Sequence, residues 1–227
     1  MWYFRKQFYL VWLIIFLIGY PAGLANAQGP TNFANCRLGI GNSTSSLAGY
    51  DIEQLNTGLY LDWTTRLTRP AGLPDNVQYY QVIRVHQNKV GGWNSAYVSP
   101  PAYTVTPNLT SLVSRIQANP GAVWFIGNEI DRRDWNGGGQ DEITPELYAS
   151  AFHEIRDVIK ATDPTAKIGI GSLVEATPLR LKYLDRLWSA YSDQYGYSMG
   201  QDIDVWNIHG FILREVKNSW GAEIRPG

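Results

Sequence analysis

Cysteine is nearly absent from this 227-residue chain: Cys36 stands alone, which excludes an internal disulfide framework and leaves stability to packing. Histidine is scarce as well. His86, His153 and His209 are scattered, and His153 falls in a helical stretch with no second ligand at metal spacing, so the sequence offers no metal centre. Neither a Gly-x-Ser-x-Gly elbow nor a phosphate-binding glycine loop occurs, and Gly137-Gly138-Gly139 lacks the strand-to-helix context such a loop needs. No cofactor is therefore expected. Net charge is only −1, so there is no electrostatic footprint for nucleic acid or an anionic membrane. Low-complexity linkers are missing too, and with them any sign of a second domain.

Long hydrophobic runs are limited to one. Phe8 to Ile18 is unbroken and apolar but falls short of the roughly 20 residues that span a bilayer. It follows the basic pair Arg5 and Lys6 and precedes Ala25-Asn26-Ala27, with small residues at both cleavage positions. That order reads residues 1–27 as a secretory signal peptide and the remainder as exported, extracellular or periplasmic, with no membrane contact after cleavage. The alternative is an uncleaved anchor. The segment carries no acid, so without it the balance of 19 basic and 20 acidic residues shifts from −1 to −3. Residues 28–227 are long enough to bury a full core as one domain.

Aromatics are plentiful, with nine tryptophans and 14 tyrosines. Flat rings stack on the apolar faces of sugars, and they also fill ordinary cores. Short apolar runs alternate with amphipathic stretches, the pattern of βα units on a parallel sheet. Strands are expected at 37–41, 59–63, 79–86, 122–126, 167–173 and 203–209. Helices are expected at 47–56, from Pro107 to Asn119, from Thr144 to Lys160, and from Thr177 through Trp188. Long polar loops follow the third and fourth strands. Six such units suit an open doubly wound sheet or most of an eight-fold barrel, and a barrel needs about 250 residues and two further strands.

The decisive stretch is Val123-Trp124-Phe125-Ile126-Gly127-Asn128-Glu129. An apolar strand of the kind buried on both faces ends in an amide and a carboxylic acid, at the strand end where α/β folds assemble sites. A glutamate enclosed there is expected to have its pKa raised by desolvation, as a general acid needs. The bland alternative is a surface glutamate held by Arg132 or Arg133. On the third strand Val82, Arg84 and His86 share one face while Ile83 and Val85 share the other. On the sixth, Val205, Asn207 and His209 share a face. An arginine and a histidine facing inward are costly unless they reach a site mouth.

A strand ending Trp-x-x-Gly-Asn-Glu resembles the fourth-strand motif of the clan of retaining glycoside hydrolases built on (β/α)8 TIM barrels. The resemblance covers about residues 37–215. It implies that Glu129 is the catalytic acid/base, protonating the leaving glycosidic oxygen and then deprotonating water, and that Asn128 contacts the sugar hydroxyl next to the anomeric carbon. It also implies substrate contacts from Arg84, His86 and His209, with Trp93 and Trp135 as stacking platforms. Trp206, opposing the Asn207–His209 face, is expected in the core. The expected substrate is an oligosaccharide, polysaccharide or glycoside.

The resembled clan carries its nucleophile, a second glutamate, at the end of strand seven. Glu175, Glu215 and Glu223 do not match that motif, and the role is left unassigned. The barrel is thus expected to be incomplete, with about six of eight βα units and the nucleophile outside this chain. The competing expectations are a catalytically silent carbohydrate-binding barrel or remnant, and a doubly wound binding protein.

Overall fold

Parallel strands buried on both faces need apolar side chains at every position, and Val123–Ile126 supplies them: all four residues of this strand are buried. The structure, a computed structural model, describes residues 35, 37–134 and 140–211. The proposed signal segment, Cys36, Trp135, Glu215 and Glu223 lie outside them. The described strands are β1 (Gly39–Gly41), β2 (Leu59–Asp62), β3 (Gln78–Gln87), β4 (Tyr103–Thr106), β5 (Val123–Ile126) and β6 (Lys167–Ile170). Three helices of eight residues or more connect them: α1 (Leu109–Ala118), α2 (Pro145–Thr162) and α3 (Pro178–Tyr195).

The sheet runs β1-β2-β3-β5-β6, every pair on this path parallel and every neighbour next in chain order once β4 is set aside. A doubly wound sheet reverses its strand order at a switch point. No reversal occurs among the described residues. β4 was not expected. It pairs antiparallel with the far half of β3, from Arg84↔Thr106 to Gln87↔Tyr103, and its flanking prolines at 100, 101 and 107 disguise it as loop.

Helix starts follow the sequence signals. Asn108 caps α1 by accepting from the Ser111 N–H at 2.9 Å, and Thr177 caps α3 through Arg180 N–H. Both α2 and α3 begin with proline at the first helical turn. Gly196 ends α3 in the left-handed conformation, φ +78°. The expected helix at 47–56 is instead a series of turns, with Gly49, Asp51 and Asn56 interrupting it; Leu47 and Ile52 are still buried, in a small core with Tyr60, Val77 and Tyr79.

Period-two alternation sorts the sheet residues as expected. Ile83, Val85, Trp124, Ile126, Ile168 and Ile170 enter the main core against Leu112, Ile116, Phe152, Ile155 and Leu187 of the helices. On the opposite face the rings of Tyr80 and Phe125 stack at 5.5 Å, and Phe125 lies over Gly169. A Cβ on Gly169 would fall 2.0 Å from Phe125 Cδ1, so only glycine fits in that register.

The expected sixth strand is reduced to two isolated parallel bridges, Gly169↔Val205 and Leu173↔Ile208. Trp206 also departs from expectation. It is 52% exposed and stacked on Trp188 at 5.8 Å, because its strand has no neighbour on the outer side among the described residues. Among the described residues no helix is long and apolar enough to cross a membrane.

Candidate active site

Immediately after β5 the chain must leave the sheet without stranding its buried N–H groups, and four consecutive amides do so with four partners. Gly127 N–H donates to Ile83 O at 2.7 Å, and Asn128 N–H to Asp141 Oδ2 at 2.8 Å. Glu129 N–H donates to Ser172 Oγ at 2.9 Å, and Ile130 N–H to Ser172 O at 3.1 Å. Gly127 (φ +96°) and Glu129 (φ +53°) both take left-handed backbone. Glycine adopts it freely, whereas a glutamate does so at a cost that neighbouring structure has to offset.

The turn buries Glu129 to 5% exposure at the carboxyl end of β5, the fourth strand of the parallel path. Arg132 Nη1 donates to its Oε2 at 2.8 Å, and His209 Nδ1 lies 3.1 Å from its Oε1. Arg132 is itself buried at 5%. The Glu129 carboxyl consequently does not behave as expected. Burial pushes its pKa up, but hydrogen bonds from His209, Arg132 and Gln140, with the charge of Arg132, outweigh burial and hold it below the usual glutamate range. Glu129 is a charged carboxylate at neutral pH, the proton-accepting form. Of the two expectations for this residue, the buried position holds, while the Arg132 contact comes from the bland alternative.

Removing Arg132 tests that balance. Arg132→Met leaves Glu129 desolvated with one fewer donor, so its titration moves upward. A carboxyl-carbon NMR titration that shows no upward movement contradicts the assigned cause.

Arg84 and His86 reach the same end of the sheet. Their common partner is Asp141, a fully buried residue that the sequence reading missed. Arg84 Nε lies 2.8 Å from Asp141 Oδ2 and Nη2 2.7 Å from Oδ1, while His86 Nδ1 is 3.3 Å from Oδ1. The Asp141 carboxyl pKa is raised by burial and opposed by the Arg84 hydrogen bonds and charge.

Next to it Glu142, also buried, pairs with Lys89 at 2.7 Å, accepts from Tyr97 and takes the Asp134 N–H at 2.6 Å. Asp141 thus pins the loop after β5 to β3 itself, and Glu142 pins it to the segment that follows β3. Trp93 stands in that segment, 45% exposed, its carbonyl accepting from Lys89.

The tryptophan brought to His209 is a different one. Trp63, 39% exposed, meets the His209 ring edge-on at 6.0 Å, and Phe211 flanks the same ring at 5.5 Å. Gly41 of β1 lies beside the Trp63 indole, its Cβ position 3.5 Å from Nε1, an ordinary contact distance.

No family model matches this chain, and no curated protein matches it. One solved structure is similar. It is the crystal structure of a GH128 (subgroup III) curdlan-specific exo-beta-1,3-glucanase from Blastomyces gilchristii in complex with glucose, at 15% identity and a TM-score of 0.45. The match covers 75% of this chain and 60% of that one. Among the described residues no group of three or more His, Cys, Asp or Glu is placed to hold a metal ion.

Proposed function

We propose that the chain is part of a (β/α)8-barrel retaining glycoside hydrolase in which Glu129 is the acid/base, Asn128 orients the sugar and the substrate is an oligosaccharide, polysaccharide or glycoside. The observation that carries this reading is the position of Glu129: a buried carboxylate on left-handed backbone at the carboxyl end of the fourth parallel strand, flanked by Asn128. The monotonic strand order supports a singly wound sheet that curls toward a barrel over a doubly wound one. Arg84, His86 and His209 line the same end and supply sugar contacts. Trp93 and Trp135 stay as proposed stacking platforms, with Trp63 added beside His209. Residues 1–27 act as the export signal of a secreted protein.

The chemistry follows from the charge state. As a carboxylate Glu129 is ready to deprotonate an attacking water, the second half of a retaining cycle. The first half needs it protonated. A second carboxylate roughly 5–5.5 Å away supplies that condition, because like charges that close push one pKa up. No described residue is assigned this nucleophilic role, and we place it on a further strand of the barrel.

A second reading is favoured by one observation: both Glu129 oxygens are already engaged, by Arg132 and His209. That arrangement suits a catalytically silent barrel that binds carbohydrate. Hydrolysis of aryl glycosides by the protein with that further strand present, followed by NMR of the released anomer, separates the two. Release of product with retained configuration is expected. Inverted product overturns the retaining mechanism, and saturable sugar binding without release establishes the silent barrel.

A further inference from the structure

We propose that Asp141 is the positioning residue of this site, a single buried carboxylate that sets Asn128, Arg84 and His86 in one geometry. The proposal rests on the glycosidase reading for what these groups do, but its geometric content stands apart from it.

A carboxylate with no exposure is costly unless donors surround it. Each described partner of Asp141 is a group already placed at the mouth of the sheet. Arg84 grips it with two prongs, Nε to both oxygens at 2.8 and 3.0 Å and Nη2 to Oδ1 at 2.7 Å. Asn128 is tied to it in both directions: its N–H donates to Oδ2 at 2.8 Å, and its carbonyl accepts from the Asp141 N–H at 2.8 Å. His86 adds Nδ1 at 3.3 Å while its ring stays 40% exposed.

The backbone of Asn128 is thus set by Asp141, and its carboxamide oxygen by the Ser172 hydroxyl at 3.2 Å. Ser172 also takes the Glu129 N–H, so the acid and its neighbour are held from two sides of β5. Displacing Asp141 moves the donor of β3 and the amide of the Asn-Glu step together. Misplacement by about 1 Å costs on the order of 10²-fold in rate even when the chemistry is untouched.

Glu142 provides the control. It is similarly buried and ties the same loop to the segment just after β3, through Lys89, Tyr97 and the Asp134 N–H, but its described contacts include none of Asn128, Glu129, Arg84 or His86. A role limited to holding the loop would make the two acids equivalent.

The test compares Asp141→Asn with Glu142→Gln in the protein that carries the further strand with the proposed nucleophile. In Asp141→Asn an amide donor is forced against the Asn128 N–H or the Arg84 fork. Its kcat is expected to fall about 10²-fold with KM little changed, whereas Glu142→Gln keeps the native kcat and melts earlier. Equal losses in the two variants overturn the proposal.

A readout independent of hydrolysis is the ligand-free NMR spectrum. The Arg84 Nε–H and Asn128 amide resonances should shift in Asp141→Asn and stay in place in Glu142→Gln; unmoved resonances in Asp141→Asn overturn the proposal. Shifted resonances in a protein that carries the further nucleophile strand and still cleaves no glycoside sink the glycosidase reading and leave Asp141 in its role. If Asp141→Asn does not fold, Arg84→Lys serves, because it keeps the charge and replaces the two-pronged grip with a single point. The Asn128 amide resonance should then move, and a fixed one overturns the proposal.

Discussion

Glu129→Gln is expected to slow hydrolysis of an unactivated glycoside by about 10²–10⁴-fold, the usual contribution of a positioned general acid/base. The factor depends on the leaving group in a way that a structural defect would not mimic. A sugar must depart as a strongly basic alkoxide, a poor leaving group, unless its oxygen is protonated, so loss of the acid shows in full. A dinitrophenolate departs unaided, so bond cleavage is slowed little and the later deprotonation of water becomes limiting. Glutamine also keeps the size of the side chain, but presents an amide donor to Arg132 or His209, each of which now meets a carboxylate oxygen. Some loss of stability therefore accompanies the loss of rate. Initial rates across a series of aryl glycosides of falling leaving-group pKa are the measurement. A uniform reduction across the series, or unchanged turnover, removes Glu129 from the acid/base role.

The sequence exposed the position of this residue far better than its state. Val123–Ile126 reads as a strand buried on both faces because nothing polar interrupts it, so the polar step at Asn128-Glu129 marks a strand end directly. The two faces of β3 were likewise legible, since alternation alone separates Ile83 and Val85 from Arg84 and His86.

The sign of the Glu129 pKa was not. It turns on Arg132, three residues on, and on His209, 80 residues away, which outweigh a desolvation that the sequence context did suggest. Asp141 and Ser172 were hidden for the same reason. Their roles depend on contacts 13 and 44 residues distant, and an acid just before the Thr144 cap of α2 looks like an ordinary helix-start charge. Trp63, near a strand end like Trp93, was passed over as a platform because its partner His209 lies 146 residues further along the chain.

Arg180→Met is expected to destabilise the fold by about 3–5 kcal/mol at neutral pH, the cost of leaving a buried charge without its partner. Arg180, 2% exposed, donates through Nη1 to the Asp131 carbonyl at 2.6 Å and sets Nε 3.5 Å from Asp131 Oδ2. Asp131 is 1% exposed; its Oδ1 accepts from Val174 N–H at 3.1 Å, and its pKa is pushed up to about 6 by burial, opposed by Arg180. A carboxyl raised in the folded state binds its proton more tightly folded than unfolded. Between its unfolded value, 3.8, and its folded one, stability from this group rises as pH falls. Without Arg180 the folded value climbs further, so the deficit is full above it and shrinks on acidification as Asp131 becomes neutral. Denaturant unfolding at about pH 5 and pH 8 reads the difference, since ΔG follows from the midpoint and slope. A deficit of the same size at both would mean that Arg180 acts by packing alone. The pair also bears on Glu129, whose charge pushes the Asp131 pKa upward from two residues away.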